Sequence, residues 1–125
     1  SRFDFADLRA GLLVEVKSVT LVDGDLGLFP DTPTARGARH VGELASAARV
    51  GYECHIGFVQ QRMDGDRMTA NRKRDPEFAD AMIQAIDSGV KIHGYRSQVS
   101  LEGIHAIEGI PYEDEGQNIV GQRPS

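Results

Sequence analysis

Twice along this chain a helix-periodic stretch runs into a glycine and then directly into residues of strand character, at residues 48–59 around Gly51 and at residues 85–95 around Gly89. Helices that alternate with strands in this way imply a sheet that is parallel in part and flanked by helices. The two units share an architecture; they are not a sequence repeat. The first helix is expected from an N-cap at Thr34 to about Val50, with Val41, Leu44, Ala45 and Ala48 at i, i+3, i+4, i+7 spacing. Gly37 and Gly42 weaken helix propensity and would let the helix approach a sheet closely. The second helix starts at Asp75-Pro76-Glu77, which supplies a cap, a proline at the first helical position and an acid in the first turn. Phe78, Ala79, Met82, Ile83 and Ile86 form its buried stripe. Strands follow at residues 52–61, with Cys54, Ile56 and Phe58 on one side, and at residues 90–100.

Two further strands precede the first helix, at residues 2–5 and 12–17. The expected order is therefore β-β-α-β-α-β, an α/β domain with a mixed central sheet. Residues 22–27 read as a turn-rich loop and residues 62–74 as a polar, basic connection. A length of 125 residues suits one domain with one core. No apolar run is long enough to span a bilayer, and a cytoplasmic protein without a membrane partner is expected. No signal peptide is visible, and the chain opens almost on a strand, as a fragment would. Cys54 is alone, so it forms no internal disulfide and is expected as a small core residue in a reducing compartment.

The strand at 12–17 carries the chemistry. Its side chains alternate, so Leu12, Val14 and Val16 share one face while Leu13, Glu15 and Lys17 share the other. In the upstream strand Phe3 and Phe5 would take one face and Arg2 and Asp4 the other. Paired as a hairpin, the two strands would set Asp4 opposite Glu15 and Lys17. Two carboxylates and a backbone carbonyl, that of Val16, form a donor set for a hard divalent cation such as Mg²⁺ or Mn²⁺. An adjacent lysine could orient water or offset charge developing on a phosphate. The plainer alternative is an ordinary charge pair on a solvated strand. Against it, the strand is otherwise apolar, as one covered on both faces would be, and charges there are costly unless paired or metal-bound.

Net charge is −5, which disfavours bulk electrostatic gripping of nucleic acid. The distribution is uneven, however. Arg62, Arg67, Arg72, Lys73 and Arg74 cluster mid-chain, and a local basic patch still steers a polyanion. Arg72-Lys73-Arg74 lies just before a helix start, where anions are favoured, although such a run also suits a solvated loop. Arg36, Arg39 and His40 are three and four apart at the start of the first helix, so they are expected to share a face, which reads either as a phosphate-contacting edge or as a solvated helix face. Asp31 fits a turn residue better than a further metal ligand. His55 and His93 lack an acidic or cysteine partner at ligand spacing and are read as satisfied strand residues. Glycine-rich nucleotide loops and hydrolase nucleophile motifs are missing.

Several motifs, in chain order, carry a family resemblance: Ser1-Arg2-Phe3-Asp4-Phe5, Glu15-Val16-Lys17-Ser18-Val19-Thr20, Phe29-Pro30-Asp31-Thr32-Pro33-Thr34, Arg36-Gly37 with Arg39-His40, Asp75-Pro76-Glu77-Phe78-Ala79 and Gly89-Val90-Lys91. Together they resemble the bacterial and archaeal sugar fermentation stimulation proteins, up to about Pro111, with the tract from Glu15 to His40 the most specific. The resemblance implies a two-part protein with an N-terminal OB-like domain and a C-terminal domain of the restriction-endonuclease-like PD-(D/E)-x-K fold. Residues 1–112 correspond to the C-terminal part, without the N-terminal one, and residues 113–125 are expected to form a mobile tail. In that pattern Asp4 is the first acid, Glu15 the second and Lys17 the lysine, so these three are the expected catalytic residues. Phe3 replaces the proline, which does no chemistry, and Ala35 stands where an acid is expected. The resemblance further implies a DNA-binding protein with a metal-dependent nuclease-like site. It would act as a regulator of sugar, including maltose, metabolism or as an active Mg²⁺-dependent DNA phosphodiesterase. Homo-oligomerisation stays open, and no protein partner is inferable.

Overall fold

The structure, a computed structural model, describes residues 3–114 and 118–120. Twelve elements follow in chain order: β1 (Phe5–Asp7), β2 (Leu12–Val19), β3 (Leu21–Asp23), β4 (Leu26–Phe29), α1 (Ala35–Arg49), β5 (Glu53–Gln60), β6 (Arg67–Ala70), α2 (Pro76–Asp87), β7 (Lys91–Ser100), β8 (Gly103–Ile110), β9 (Tyr112–Asp114) and β10 (Asn118–Val120). They form two five-stranded mixed sheets, in the orders β1-β2-β5-β7-β8 and β10-β9-β6-β4-β3. In the first sheet β2, β5 and β7 run parallel, with β1 and β8 antiparallel at the edges. The α/β class and the mixed sheet agree with the sequence reading. The second sheet is additional, with β3, β4 and β6 in stretches read as loop and connection; the first sheet gains β8, which follows the last expected strand.

Both helices end and begin where their capping chemistry dictates. Thr34 Oγ1 accepts from the Gly37 amide at 2.9 Å, and Asp75 Oδ1 accepts from the Phe78 amide at 3.0 Å. These contacts satisfy donors that the first helical turn leaves open. Gly51 and Gly89, at φ of +104° and +100°, take the left-handed conformation that turns each helix into the next strand. Strand then packs on helix: Leu13, Cys54, Ile56, Phe58 and Ile92 are buried in one core with Val41, Leu44, Phe78 and Met82. Cys54 is a buried free thiol, as expected. Phe58 joins the layers, with the rings of Phe29 and Tyr112 at 5.6 and 5.5 Å.

β2 is not covered on both faces. Val16 is 48 % exposed, and Tyr95, Ile104 and Ile107 are exposed as well. The reason is topological. β2 connects to β5 and β5 to β7 in the same direction across the sheet, and right-handed crossovers in one direction place both helices on the same face.

The opening strand also differs from expectation. β1 begins at Phe5, and Asp4 sits in a bend before it. Phe5 pairs with Val14 and is 52 % exposed, whereas Phe3 packs against the core, so the two rings part company. Arg2 lies outside the described residues. Of the expected tail, residues 113, 114 and 118–120 stand in strands, and the remaining positions lie outside the described residues. No helix among the described residues is long and apolar enough to cross a membrane.

Candidate metal and phosphate site

β1 stops pairing with β2 at Val14, so the edge of β2 beyond it has no neighbouring strand on that side. The Val16 amide points to this open edge and would be an orphan donor. The Asp4 carboxylate fills the place of the missing strand, with Oδ2 accepting from Val16 N at 2.6 Å. The Asp4 amide in turn donates to Glu15 Oε1 at 3.2 Å. A strand residue exchanges both its backbone bonds with the same neighbour, so the Val16 carbonyl faces the Asp4 side too.

Glu15 projects toward α1. It is 5 % exposed, and its second oxygen, Oε2, accepts from Lys17 Nζ at 3.1 Å and lies 3.2 Å from His40 Nδ1. Burying a carboxylate is expensive without such partners, and here the lysine, the imidazole and a backbone amide supply them. The Phe3 ring packs edge-on against His40 at 6.2 Å and closes that side. Asp4, Glu15, Val16 and Lys17 thus line one pocket of about 260 Å³ with Thr34, Arg36, Gly37 and His40 at the start of α1.

The expected residues are not all used as expected. Arg36 lines the pocket, and Arg39 is exposed but does not line it. His40 does not share their exposed face: it is 5 % exposed and turned inward onto Glu15. The signal was present in the sequence, because His40 sits with Gly37, Val41 and Leu44 on the buried stripe of α1. Thr34, expected as the N-cap, and Gly37, expected to let the helix approach the sheet, line the pocket too. Asp31 is exposed and not part of the lining.

Among the described residues no group of three or more His, Cys, Asp or Glu side chains gathers where one metal ion could sit. Two carboxylates with a carbonyl and room for water still fit Mg²⁺ or Mn²⁺, because Mg²⁺ commonly takes only one or two protein carboxylates and keeps several waters. The same donor set suits Zn²⁺ poorly, since it lacks thiolates and its one imidazole is tied to Glu15. His55 and His93 do find partners, and they find each other: Nδ1 of His55 lies 2.8 Å from Nε2 of His93, and Glu53 takes the other side of His55 at 2.7 Å. Burial, followed by the charges of His55 and Lys91, holds the His93 pKa below its usual value. The His55 hydrogen bond is the first cause that holds the Glu53 pKa down.

Residues 1–103 match the family described as "Sugar fermentation stimulation protein RE domain". The sugar fermentation stimulation protein homolog of Pyrobaculum islandicum is 44 % identical over 101 residues, covering 81 % of this chain and 44 % of that protein. The homolog of Desulfitobacterium hafniense strain Y51 is 45 % identical over 109 residues, covering 85 % of this chain and 47 % of the relative. The chain therefore spans somewhat under half the length of these relatives. A solved structure described as "The structure of Pyrococcus Furiosus SfsA in complex with Ca2+" superposes with a TM-score of 0.77 at 30 % identity, over 82 % of this chain and 45 % of that one.

Proposed function

We propose that this chain, which belongs to the sugar fermentation stimulation protein family, holds a divalent cation between Asp4 and Glu15 and uses it to engage the phosphodiester backbone of DNA. The observation that carries this reading is the pocket that gathers Asp4, Glu15, the Val16 backbone and Lys17 beside Arg36 at the start of α1. The mixed sheet and the acid–Glu-x-Lys order support a restriction-endonuclease-like, PD-(D/E)-x-K fold. The binding of Ca²⁺ by the Pyrococcus furiosus relative supports a hard-cation site in this family.

The residues divide the work. Asp4 and Glu15 supply the carboxylates, and the Val16 carbonyl a third oxygen. Mg²⁺ or Mn²⁺, when bound, would supply Lewis acidity toward a phosphate oxygen. Lys17, 3.1 Å from Glu15 Oε2, carries an ammonium to orient water or offset charge on the phosphate. His40 holds Glu15 in place from the helix side, and Arg36 at the pocket rim attracts the phosphate.

A second reading is binding without cleavage, in a DNA-binding regulator of sugar (maltose) metabolism. It is favoured by Lys17, whose ammonium is already engaged by Glu15 Oε2 at 3.1 Å. Calorimetric titration of Mn²⁺ into the wild type and Glu15→Ala tests the metal; equal binding to both removes the proposal. DNA incubated with Mg²⁺ then separates the two readings. Cleavage that Lys17→Ala abolishes identifies a nuclease, and metal-dependent binding with intact DNA identifies the regulator.

A further inference from the structure

A cavity of about 630 Å³ is lined without Asp4 or Glu15. Its apolar side chains are Leu21 and Leu28, which sit opposite each other on one face of the β3–β4 hairpin; Val22, Lys73 and Arg74 line the cavity as well, the last two in the loop before α2. Asp23 is the acid in the lining. The base is fixed by Asn71, whose amide donates to Phe29 O at 2.8 Å and whose Nδ2 donates to Pro30 O at 2.9 Å. Its volume falls in the range of about 300–1,000 Å³ typical of ligand pockets.

The cations here differ from their neighbours. Arg62, Arg67, Arg72 and Arg96 are each paired with a carboxylate. Lys73 and Arg74 form no ion pair among the described residues, and both remain free to take an anion. The cavity is also tied to the carboxylate pocket. Asp75, next to Arg74, caps α2 with one oxygen and accepts from the Thr34 amide with the other, at 2.8 Å. Thr34 itself lines the carboxylate pocket. Leu28 of this cavity and Thr34 of the carboxylate pocket are six residues apart, so these two lining residues lie within about 22 Å of each other. At about 3.4 Å per nucleotide, some six nucleotides or fewer bridge that span.

Building on the metal–DNA reading above, we propose that this cavity is a second DNA subsite, which takes a single-stranded segment leaving the carboxylate pocket. One unstacked base lies on Leu21 and Leu28, which share a face of the hairpin, and the flanking phosphates meet Lys73 and Arg74. An unpaired strand is required because a duplex keeps its bases stacked and out of reach of an apolar wall. Phosphate contacts of this kind position the strand without reading its sequence.

The test is anisotropy of a fluorescein-labelled DNA single strand of about 12 nucleotides, measured over a range of salt concentrations with Ca²⁺ and with EDTA. The proteins are wild type, Lys73→Ala/Arg74→Ala, Glu15→Ala and Arg9→Ala/Arg49→Ala. The last variant removes equal charge from exposed sites outside both pockets; Arg49 lies at the far end of α1, about 22 Å from its start. Lys73→Ala/Arg74→Ala is expected to weaken binding and flatten the salt slope by about 1.4, or about 0.7 per lost phosphate contact. The control should keep the wild-type slope, and Glu15→Ala should keep the part of the slope due to Lys73 and Arg74. Equal losses in the two double variants, or no loss in Lys73→Ala/Arg74→Ala, overturn the subsite while leaving the metal site standing. Binding that Ca²⁺ does not strengthen, with the Lys73/Arg74 dependence intact, overturns the metal reading and keeps the subsite. A wild type that binds no strand under any condition overturns both.

Discussion

The contact between Lys17 and Glu15 gives a quantitative test of how closed the pocket is. A pair in open solvent is worth about 0.2–1 kcal/mol, whereas breaking a buried pair from one side costs about 3–5 kcal/mol. Here the side chains of Lys17 and Glu15 are 14 % and 6 % exposed, near the buried limit. Lys17→Met leaves the carboxylate with only the Asp4 amide and His40, and should cost about 3 kcal/mol. Glu15→Gln keeps the shape and frees an ammonium that can reach water, for about 1.5 kcal/mol. The double variant removes both charges and should cost about 2 kcal/mol, well below the sum of the singles. The coupling is then about 2.5 kcal/mol, against the additivity within about 0.3–0.5 kcal/mol that independent sites show. For a domain of this size each kcal/mol moves Tm by about 4 °C. Urea and thermal unfolding in EDTA of the four proteins provides the measurement. Additive singles would mean that the pair is dissolved in water and that the pocket is not enclosed as described.

Three further outcomes are expected. Asp75→Ala removes the α2 cap and the bond to Thr34 together, and should cost about 2 kcal/mol or more in chemical denaturation; a loss within about 0.5 kcal/mol would deny the link between the helix starts. Phe58→Ala empties the contact between the sheets and should destabilise by about 3–5 kcal/mol, and a native-like urea midpoint would contradict that packing. The folded pKa of His93 is held below its unfolded value, so its contribution is intact above the unfolded value of about 6.5 and stability is lost as pH falls below it. His93→Gln should flatten that acid limb, and an unchanged slope would assign it to other groups.

Much of the first sheet was legible because its signals are local and long. Each helix carries its own cap and its own glycine stop, and β5 alternates over all eight of its residues and β7 over its first four. The second sheet was not legible. β4 and β6 are four residues each, too short for a period, and they pair Phe29 with Ala70 across a whole helix. β8 is exposed along most of its length, so no buried face marked it in the sequence. At the candidate site, the two-residue period placed Glu15 and Lys17 on one face. Asp4 instead arrives from a bend, where alternation says nothing. His40 was misassigned because spacing from Arg36 shows which residues neighbour each other on a helix, while only the stripe with Val41 and Leu44 shows which side is inward.

The bare face of the first sheet has a practical consequence at the bench. Dyes such as ANS that brighten on apolar surface are widely taken to report loosened packing. With Tyr95, Ile104 and Ile107 open to water in the intact fold, this molecule should make such a dye glow before any melting begins. Dye fluorescence would then follow the state of that one face and not the onset of unfolding, so thermal melts are better followed by circular dichroism.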